Sequence, residues 1–432
     1  GYCRTISSPN GLRFDLCIHS LASLRENGTV GSILKELEIE NSLKLHLHEV
    51  SNIAICRDLK LRFFRLHDKT IDEFSKFFPQ EKDNIVKYFE FILNSAALSF
   101  SALRKINYYS YLESCFNDKL LIKILAEMVM ISTGVYSTRL SAFVGCSTMR
   151  EYILDAGYYP EGGVQNLPNI LMKSIIEYGG AVQCSKEVKR ILISNDAVTG
   201  VELKNGKKYN SNYVVSNCDA NHTYTNLIKV DKINKYWEKK LSKMEPSLSS
   251  ICIYLGARNT LKFHEDYTAT MYLLNEYTDV TKTHADIENN CSSSFILSSP
   301  TGLNDESFEN NVSFLALTNA NFNDKKFWSK EKQNFSNMIV SRIKKVYPNL
   351  VDNIFYKAQA TPITLNRWTY NLKGASYGWA GLSNQIADPD LAGRSKIKGL
   401  FLVGHWMTLS HGIISAAYTG RKTANSIIKI LR

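Results

Sequence analysis

The sequence GLFLVG occupies residues 399–404, and a polar loop separates it from a helical pattern that runs from about Gly412 to Ile430. A buried strand that ends in glycine and leads through a loop into a helix is the layout by which α/β sheets bind ligands at the carboxyl ends of their strands. The unpaired N–H groups at the start of such a helix favour an anion or an electron-rich ring. We therefore expect a ligand site at Gly404 and Gly412.

The composition is that of an ordinary globular chain. Its 432 residues include 52 Lys and Arg against 41 Asp and Glu, which gives a net charge of +11, and 44% of them are hydrophobic. This length suffices for two or three domains with a substantial core, and the composition excludes disordered and collagen-like proteins. The best apolar run, from Leu120 to Tyr136, contains Lys123 and Glu127 and is not a membrane-spanning sequence.

Neither a metal site nor nucleic-acid binding is indicated. The nine cysteines are scattered and form no C-x-x-C pair or Cys/His cluster, which argues against zinc and against a disulfide scaffold and favours a reducing compartment. The basic residues form no arginine-rich arm, and no zinc finger or RNA-binding signature accompanies them. Two interpretations of the basic surface remain open, namely peripheral contact with anionic lipid and a plain solvated surface.

The N-terminal third combines strands with a helical segment. Alternating apolar residues at 12–18 predict a strand, residues 31–39 predict a short helix, and residues 50–66 predict two strands. Thr70 and Glu73 have the spacing of a capping box ahead of an apolar helix. The aromatic-rich helices that follow are interpreted as helical core, with a lid over an apolar channel or a lipid-contacting face as the alternative.

A glycine-rich loop at residues 157–163 begins a segment of different composition, and a predicted helix from Leu167 to Tyr178 follows it. The strands predicted next are Ala181 to Cys184, Val188 to Ile193, Val198 to Leu203, and Tyr213 to Asn217. Further along the chain, the patterns predict strands at 251–255, 295–298 and 312–317 and a helix at 334–346.

Three blocks of the sequence resemble the phytoene desaturase family, which comprises FAD-dependent carotenoid desaturases, carotenoid cis–trans isomerases and retinol saturase-like enzymes. The first block reads GYCRT at residues 1–5 and GLRFD at residues 11–15, and it is similar to the segment after the second strand of a flavin-binding Rossmann domain. The second block reads YPEGGVQNL at residues 159–167. The third begins with TPIT at residues 361–364 and ends with the strand, loop and helix at 399–420. The blocks occur in the family's order and extend over nearly the whole chain.

The resemblance implies an α/β fold with a Rossmann-type FAD-binding domain built from discontinuous segments, a mixed-sheet α+β substrate domain and a helical cap. The expected boundaries are 1–50 plus 155–230 plus 392–432 for the FAD-binding domain, 51–69 plus 231–391 for the substrate domain, and 70–154 for the cap. The sequence contains no G-x-G-x-x-G loop, and the βαβ unit that would carry this loop is expected upstream of Gly1. The true N-terminus would then be missing, and the chain as given would bind FAD poorly.

The resemblance also implies FAD as the cofactor and a set of residues that bind it. Gly1 is similar to the second glycine of a pair near the pyrophosphate, Ile18 and His19 to the turn that approaches the flavin, and Val188 to the position that faces the adenine. The strand, loop and helix beneath the ribityl chain and the flavin ring match Gly404, His405, Gly412, Ile413 and Ile414. Two positions depart from the family pattern, because Cys17 stands where glycine is usual and His405 stands where many relatives have an acidic or small residue. No catalytic residue is identified.

The implied function is FAD-dependent oxidation or reduction of an apolar isoprenoid or polyene, by desaturation, saturation or cis–trans isomerisation. Contact with membrane lipid, and a cytoplasmic or peripheral membrane location, are expected with it. Two alternatives remain. A flavin amine oxidase-like enzyme would have a small pocket flanked by aromatic residues, and a non-catalytic prenyl-binding carrier would keep the scaffold without the flavin chemistry.

Overall fold

The computed structural model describes residues 2–95, 97–258, 264–299, 311–386, 388–391, 395–407 and 412–432. Its strands are β1 (Thr5–Ser7), β2 (Arg13–Asp15), β3 (Leu45–Leu47), β4 (Val50–Cys56), β5 (Leu59–Phe64), β6 (Tyr158–Pro160), β7 (Val188–Ser194), β8 (Ala197–Leu203), β9 (Lys208–Asn210), β10 (Val214–Ser216), β11 (Ser249–Arg258), β12 (Thr270–Leu273), β13 (Phe295–Ser298), β14 (Asn311–Ala320), β15 (Ile354–Ala360) and β16 (Leu400–Leu402). Its α-helices are α1 (Thr29–Glu36), α2 (His67–Phe77), α3 (Lys82–Asn94), α4 (Tyr108–Cys115), α5 (Lys119–Thr133), α6 (Ala142–Thr148), α7 (Asn166–Glu177), α8 (Asp231–Leu241), α9 (Val280–Glu288), α10 (Lys325–Val346), α11 (Pro348–Asp352), α12 (Pro362–Thr369) and α13 (Gly412–Leu431).

The largest element is a seven-stranded mixed sheet with the strand order β15-β11-β14-β13-β12-β4-β5. Neighbouring strands are antiparallel except β12 and β4, which run parallel. Because side chains alternate along a strand, β11 sends Ile251, Ile253 and Leu255 to one face, where they join a core with apolar residues of α10. Cys252 and Tyr254 belong to the other face, which carries the site described below.

Helices α2–α6 form a cap against part of this second face, and α5 lies at its centre. Asp118 starts α5 by accepting hydrogen bonds from two backbone N–H groups of the first turn, and Gly134 ends it with a φ of 65°. Lys123 and Glu127, one turn apart, form an ion pair of 3.4 Å although their side chains are only 0% and 1% exposed. Lys123 Nζ also donates to the carbonyl oxygen of Asn275 at 2.5 Å. Both charges therefore find partners inside the core, as burial requires.

The apolar stripes of the cap are core. Tyr88, Phe89 and Ile92 of α3 are between 0% and 2% exposed and pack in the same cluster as the apolar residues of α5. The core interpretation is confirmed for these side chains, so they do not form the lipid-contacting face that was the alternative. None of the described helices is long and apolar enough to cross a membrane.

The predicted capping box at Thr70 and Glu73 is wrong. Helix α2 begins at His67, so Thr70 lies within its first turns rather than ahead of it. The Thr70 hydroxyl accepts a hydrogen bond from the N–H of Phe64 at 2.8 Å, which fastens the helix to the end of β5. A capping box occurs instead at the start of α12.

The predicted strand at residues 181–184 is also absent. These residues are exposed and form no ladder, and the antiparallel β7-β8-β9 sheet begins only at Val188. A short apolar run is stable as a strand only when a neighbouring strand pairs with it, and none of the described strands lies beside this run.

The strand, loop and helix at the C-terminal end form as predicted. Strand β16 pairs in parallel with β10, with Val214 opposite Leu400 and Ser216 opposite Leu402, and α13 follows from Gly412. The α/β fold class is thus confirmed, with a mixed sheet on one side and a parallel strand pair with flanking helices on the other. The domain boundaries given above stay a prediction.

Candidate functional site

A cavity of about 750 Å³ lies between the second face of the large sheet, the segment that includes Tyr2 and His19, and the start of α13. It brings together seven of the residues predicted to bind a cofactor, namely Ile18, His19, Gly404, His405, Gly412, Ile413 and Ile414. Val188 does not line the cavity, because it begins β7 in the separate three-stranded sheet. Gly1 lies outside the described residues.

Two of the predicted glycines are required by close contacts. Gly404 has a φ of 91°, and a Cβ atom at this position would lie 2.0 Å from Asn217 Oδ1. Gly412 has a φ of 76°, and its Cβ atom would lie 2.2 Å from the Tyr152 hydroxyl. Positive φ values favour glycine, and these contacts leave no room for a side chain. Glycine is therefore required at both positions for the wall of the cavity to pack as it does.

The cavity is electropositive. Arg4 lines it, whereas no Asp or Glu does so among the described residues. The first turn of α13 contributes Gly412, Ile413 and Ile414 to the wall, so the positive end of the helix dipole lies at the cavity. The N–H of Ile414 donates to the Tyr152 hydroxyl at 3.3 Å. This arrangement favours a ligand with negative charge near the helix start.

His405 is held by Asn371 at the cavity wall. Trp406 Nε1, which can only donate, lies 3.0 Å from Asn371 Oδ1, and Asn371 Nδ2 lies 3.4 Å from His405 Nε2. Asn371 Nδ2 also lies 3.0 Å from the carbonyl oxygen of Ala375 and 3.1 Å from the Tyr2 hydroxyl, so its two hydrogens are shared among three neighbours. Burial lowers the pKa of His405 to about 4, so the ring is neutral near neutral pH. The neutral ring has one donor nitrogen and one acceptor nitrogen.

The tautomer of His19 follows from its contact with Cys17. Its Nδ1 lies 3.3 Å from the carbonyl oxygen of Cys17 and therefore carries the proton, which leaves Nε2 as an acceptor. Burial lowers the pKa of His19, so this ring is also neutral. The Cys17 thiol lies 3.9 Å from the Cys252 thiol, and this contact together with burial raises the pKa of Cys17. Cys17 is consequently a protonated wall residue rather than a nucleophile.

Several cavity residues were not predicted. Tyr2 and Asn371 line the wall, and their side chains are joined by a hydrogen bond of 3.1 Å. Tyr152 lies in a π-helical turn at Met149–Leu154, a feature that is frequent at functional sites but has no simple sequence pattern. Arg4 lies within the first block that resembles the family, and its positive charge is the sequence feature that could have marked it as a cofactor-binding residue.

The residues present fit the cofactor that the resemblance implies. FAD combines an anionic pyrophosphate with a ring that gains negative charge on reduction. The cavity has a helix N-terminus, Arg4 and no lining carboxylate among the described residues, and each of these features favours such charge. Gly404 and Gly412 line the cavity together with Asn217 and Tyr152, the residues that a side chain at either glycine would contact.

Comparisons with known proteins agree with this geometry. No family model matches the chain. A prolycopene isomerase of Daucus carota is 28% identical over 62% of this chain, a match that spans only 44% of the carrot protein. An all-trans-retinol 13,14-reductase of Danio rerio is 22% identical over 99% of this chain and 80% of its own length. A phytoene desaturase of Rhodobacter capsulatus is 34% identical over 25% of this chain and 21% of its own length.

Solved structures share the fold. An oxidoreductase of Methanosarcina mazei superposes with a TM-score of 0.68 and 15% identity, covering 98% of this chain and 91% of the other. A putrescine oxidase variant superposes with a TM-score of 0.64 and 13% identity, covering 99% and 91%. Sequence relatives, fold and cavity agree with the three sequence blocks. The chain is therefore similar in sequence to prolycopene isomerases, phytoene desaturases and a retinol 13,14-reductase, and it shares its fold with solved oxidoreductases.

Proposed function

We propose that this protein is an FAD-dependent oxidoreductase that acts on an apolar isoprenoid or polyene. The observation that carries the proposal is that the predicted cofactor residues and the face of the large sheet line one cavity. The start of α13 and His405 contribute from one side, and Ile296 and Leu317 of the sheet contribute apolar wall. A redox cofactor and an apolar substrate would thus meet in a single space.

The roles of the chain's own residues follow from their chemistry. The first turn of α13 and Arg4 would hold the anionic and electron-rich parts of FAD. His19 would accept one hydrogen bond through Nε2, and His405 would present a neutral imidazole at the wall. When bound, FAD supplies the exchange of an electron pair with the substrate. The apolar wall excludes water from the reacting carbon atoms.

Among the reactions of the family, isomerisation or saturation is the better supported. The relatives that match the chain over nearly its whole length are named as prolycopene isomerases and as a retinol 13,14-reductase. The proteins named as phytoene desaturases match it over about a quarter of its length.

The amine-oxidase alternative is less well supported. Its support is the fold shared with putrescine oxidase and the aromatic residues Tyr152, Tyr272 and Tyr377 in the cavity wall. An ammonium substrate, however, would be expected to meet a carboxylate, and no described Asp or Glu lines the cavity.

The proposal is tested with the full natural protein expressed from its gene. We expect purified protein to be yellow, to release FAD on denaturation, and to convert prolycopene or all-trans-retinol under reducing conditions, as followed by chromatography of the extracted products. The Gly412→Leu variant should retain the far-ultraviolet circular dichroism of the wild type but lose flavin. Protein that takes up no FAD even after reconstitution would support the prenyl-carrier alternative, and turnover of a diamine alone would support the amine oxidase.

We further propose peripheral contact with membrane lipid. Helix α7 carries Met172, Ile175 and Ile176 at 39%, 50% and 55% exposure, and the net charge of +11 favours anionic surfaces. Co-sedimentation with liposomes of anionic phospholipid should weaken in an Ile175→Ser/Ile176→Ser variant. The matched control replaces Ile428 and Ile430, which are 45% and 46% exposed on α13. Equal loss in both variants, or no binding by the wild type, would refute this contact.

A further inference from the structure

The floor of the cavity is one row of side chains across the large sheet. Tyr272 of β12 pairs with Ile296 of β13, and Ile296 pairs with Leu317 of β14. Directly paired residues point to the same face of a sheet, and all three residues line the cavity. Ile296 and Leu317 make the middle of this row apolar, as an isoprenoid chain requires.

One end of the row is polar. Asn52 lies on β4, which pairs with β12 so that Thr270 is opposite Asn52 and Tyr272 is two residues further along. Asn52 and Tyr272 are therefore on the same face, and both line the cavity while being only 2% and 4% exposed. Ser132 of α5 reaches the same place from the cap, with its hydroxyl 3.0 Å from the Tyr272 hydroxyl. Three neutral polar side chains thus line this end of the cavity.

The orientation of the Asn52 amide leaves one acceptor unused. Asn52 Nδ2 donates to the carbonyl oxygen of Ile153 at 2.8 Å and lies 3.2 Å from the Ser51 hydroxyl. A carbonyl oxygen can only accept, so the nitrogen and oxygen of this amide are assigned without ambiguity. Within the described part of the chain, Asn52 Oδ1 receives no hydrogen bond.

The hydroxyl pair leaves one donor unused. Only one of the two O–H groups of Ser132 and Tyr272 can donate within the pair, and neither side chain has another hydrogen bond to a described residue. The remaining O–H is directed elsewhere. Burial raises the pKa of Tyr272 to about 12, so its hydroxyl keeps its proton. This end of the cavity thus offers one donor and one acceptor, with no ionised side chain among the three.

We propose that the substrate is an isoprenoid alcohol, whose hydroxyl group donates to Asn52 Oδ1 and accepts from the Ser132–Tyr272 pair while its chain lies over Ile296 and Leu317. An alcohol satisfies both groups, an ether or carbonyl satisfies only the donor, and a hydrocarbon leaves both unpaired. A site built around a substrate hydroxyl discriminates against analogues that lack it. This proposal rests on the proposed function and specifies its substrate class.

A second hydroxyl pair in the same cavity does not belong to the polar end of the row. The hydroxyls of Ser250 and Ser376 are 2.8 Å apart, so this pair also has a spare donor. Ser376 lies two residues before Gly378, whose Cα is packed against the backbone of His405. The second pair therefore belongs to the His405 side of the cavity.

The experiment measures the binding of three C20 probes to the full natural protein in the presence of FAD. The probes are geranylgeraniol, its methyl ether, and the hydrocarbon of the same chain without oxygen, titrated by calorimetry at a fixed concentration of neutral detergent. We expect geranylgeraniol to bind on the order of tenfold more tightly than the hydrocarbon, with the ether between them, since each neutral hydrogen bond makes a modest net contribution.

Two variants test which side chains cause the preference for the alcohol. Tyr272→Phe combined with Ser132→Ala removes the donor and keeps the ring over Ile296, and Asn52→Leu removes the acceptor. Each should reduce the preference for the alcohol severalfold while leaving the affinity for the hydrocarbon nearly unchanged. The matched control is Ser250→Ala, which removes a cavity hydroxyl outside the polar end and should keep the full preference.

The outcomes separate the two proposals. Equal binding of alcohol and hydrocarbon to the wild type would refute the alcohol while leaving an isoprenoid substrate in place. An alcohol preference that survives in both variants would also refute it. Failure of all three probes to bind, in protein that holds FAD, would refute the isoprenoid substrate itself and the alcohol with it. Because Tyr272→Phe/Ser132→Ala leaves the Asn52 amide intact, a folding defect of Asn52→Leu does not prevent the decision.

Discussion

His405 should make the folded protein sensitive to mild acid. Burial lowers its pKa to about 4 in the folded protein, whereas histidine in an unfolded chain has a pKa of about 6.5. As the pH falls below 6.5 the unfolded chain binds a proton that the folded protein does not, so the free energy of unfolding decreases until the pH passes below 4. The shift corresponds to about 3 kcal/mol in full. Between pH 7.5 and pH 5.0 the expected loss is about 2 kcal/mol.

The assay is urea unfolding followed by tryptophan fluorescence at both pH values, for which Trp406 beside His405 is a local reporter. In the His405→Gln variant, which cannot be protonated, the difference in free energy between pH 7.5 and pH 5.0 should be smaller than in the wild type by about 2 kcal/mol. The opposite sign, a variant that loses more stability in acid than the wild type, would mean that His405 is charged in the folded protein.

The matched control is His284→Gln. Burial lowers the pKa of His284 to about 4 as well, but this residue does not line the cavity. It should reduce the acid loss by a similar amount and leave flavin binding unchanged, whereas His405→Gln should change both. An unchanged pH dependence in His405→Gln beside a reduced one in His284→Gln would refute the burial argument for His405.

Two further changes test the packing. Gly404→Ala should destabilise the protein by about 2–4 kcal/mol through the positive φ and the contact with Asn217. In an Asn217→Ala background, urea unfolding should show a loss about half as large. An equal loss in both backgrounds contradicts the contact. Lys123→Met should lower stability by about 3–5 kcal/mol because it leaves the Glu127 carboxyl, which also accepts from Thr283 and Ser294, without its counter-charge in the core. The Lys123→Met/Glu127→Leu double variant should regain most of this loss in thermal unfolding, and a double variant no more stable than the single one contradicts this account.

Local patterns predicted the elements that a short segment determines by itself. The run at 399–404 and the helix from Gly412 are confirmed because strand, glycine and helix follow one another along the chain. The pattern at 181–184 failed because a strand depends on a partner that its own sequence does not specify. The apolar stripe of α3 was predicted as core and is core, since helical periodicity reports burial directly.

The cavity was only partly predictable for the same reason. The sequence motifs identified Ile18, His19 and the start of α13 as site residues. Asn371 was not identified, because it comes close to His405 only when the chain is folded. Asn52 follows another polar residue, Ser51, in the otherwise apolar strand β4, and its role depends on register with β12. Neither position has a local pattern that distinguishes it from an ordinary loop or strand residue. Their cofactor and substrate roles stay predictions.

The parallel pairing of β4 with β12 has a consequence for how the protein is made. Asn52 lies opposite Thr270, so a ribosome must synthesise the entire cap before this ladder can close. Until then the hairpin of β4 and β5 has an unpaired strand edge whose apolar side chains are buried in the finished protein. Unpaired apolar edges of this kind are sites at which nascent chains aggregate. Closing so long a loop also slows folding. The sheet face that forms the cavity floor is therefore completed late, and the cavity as a whole can form only when synthesis has passed the first turn of α13.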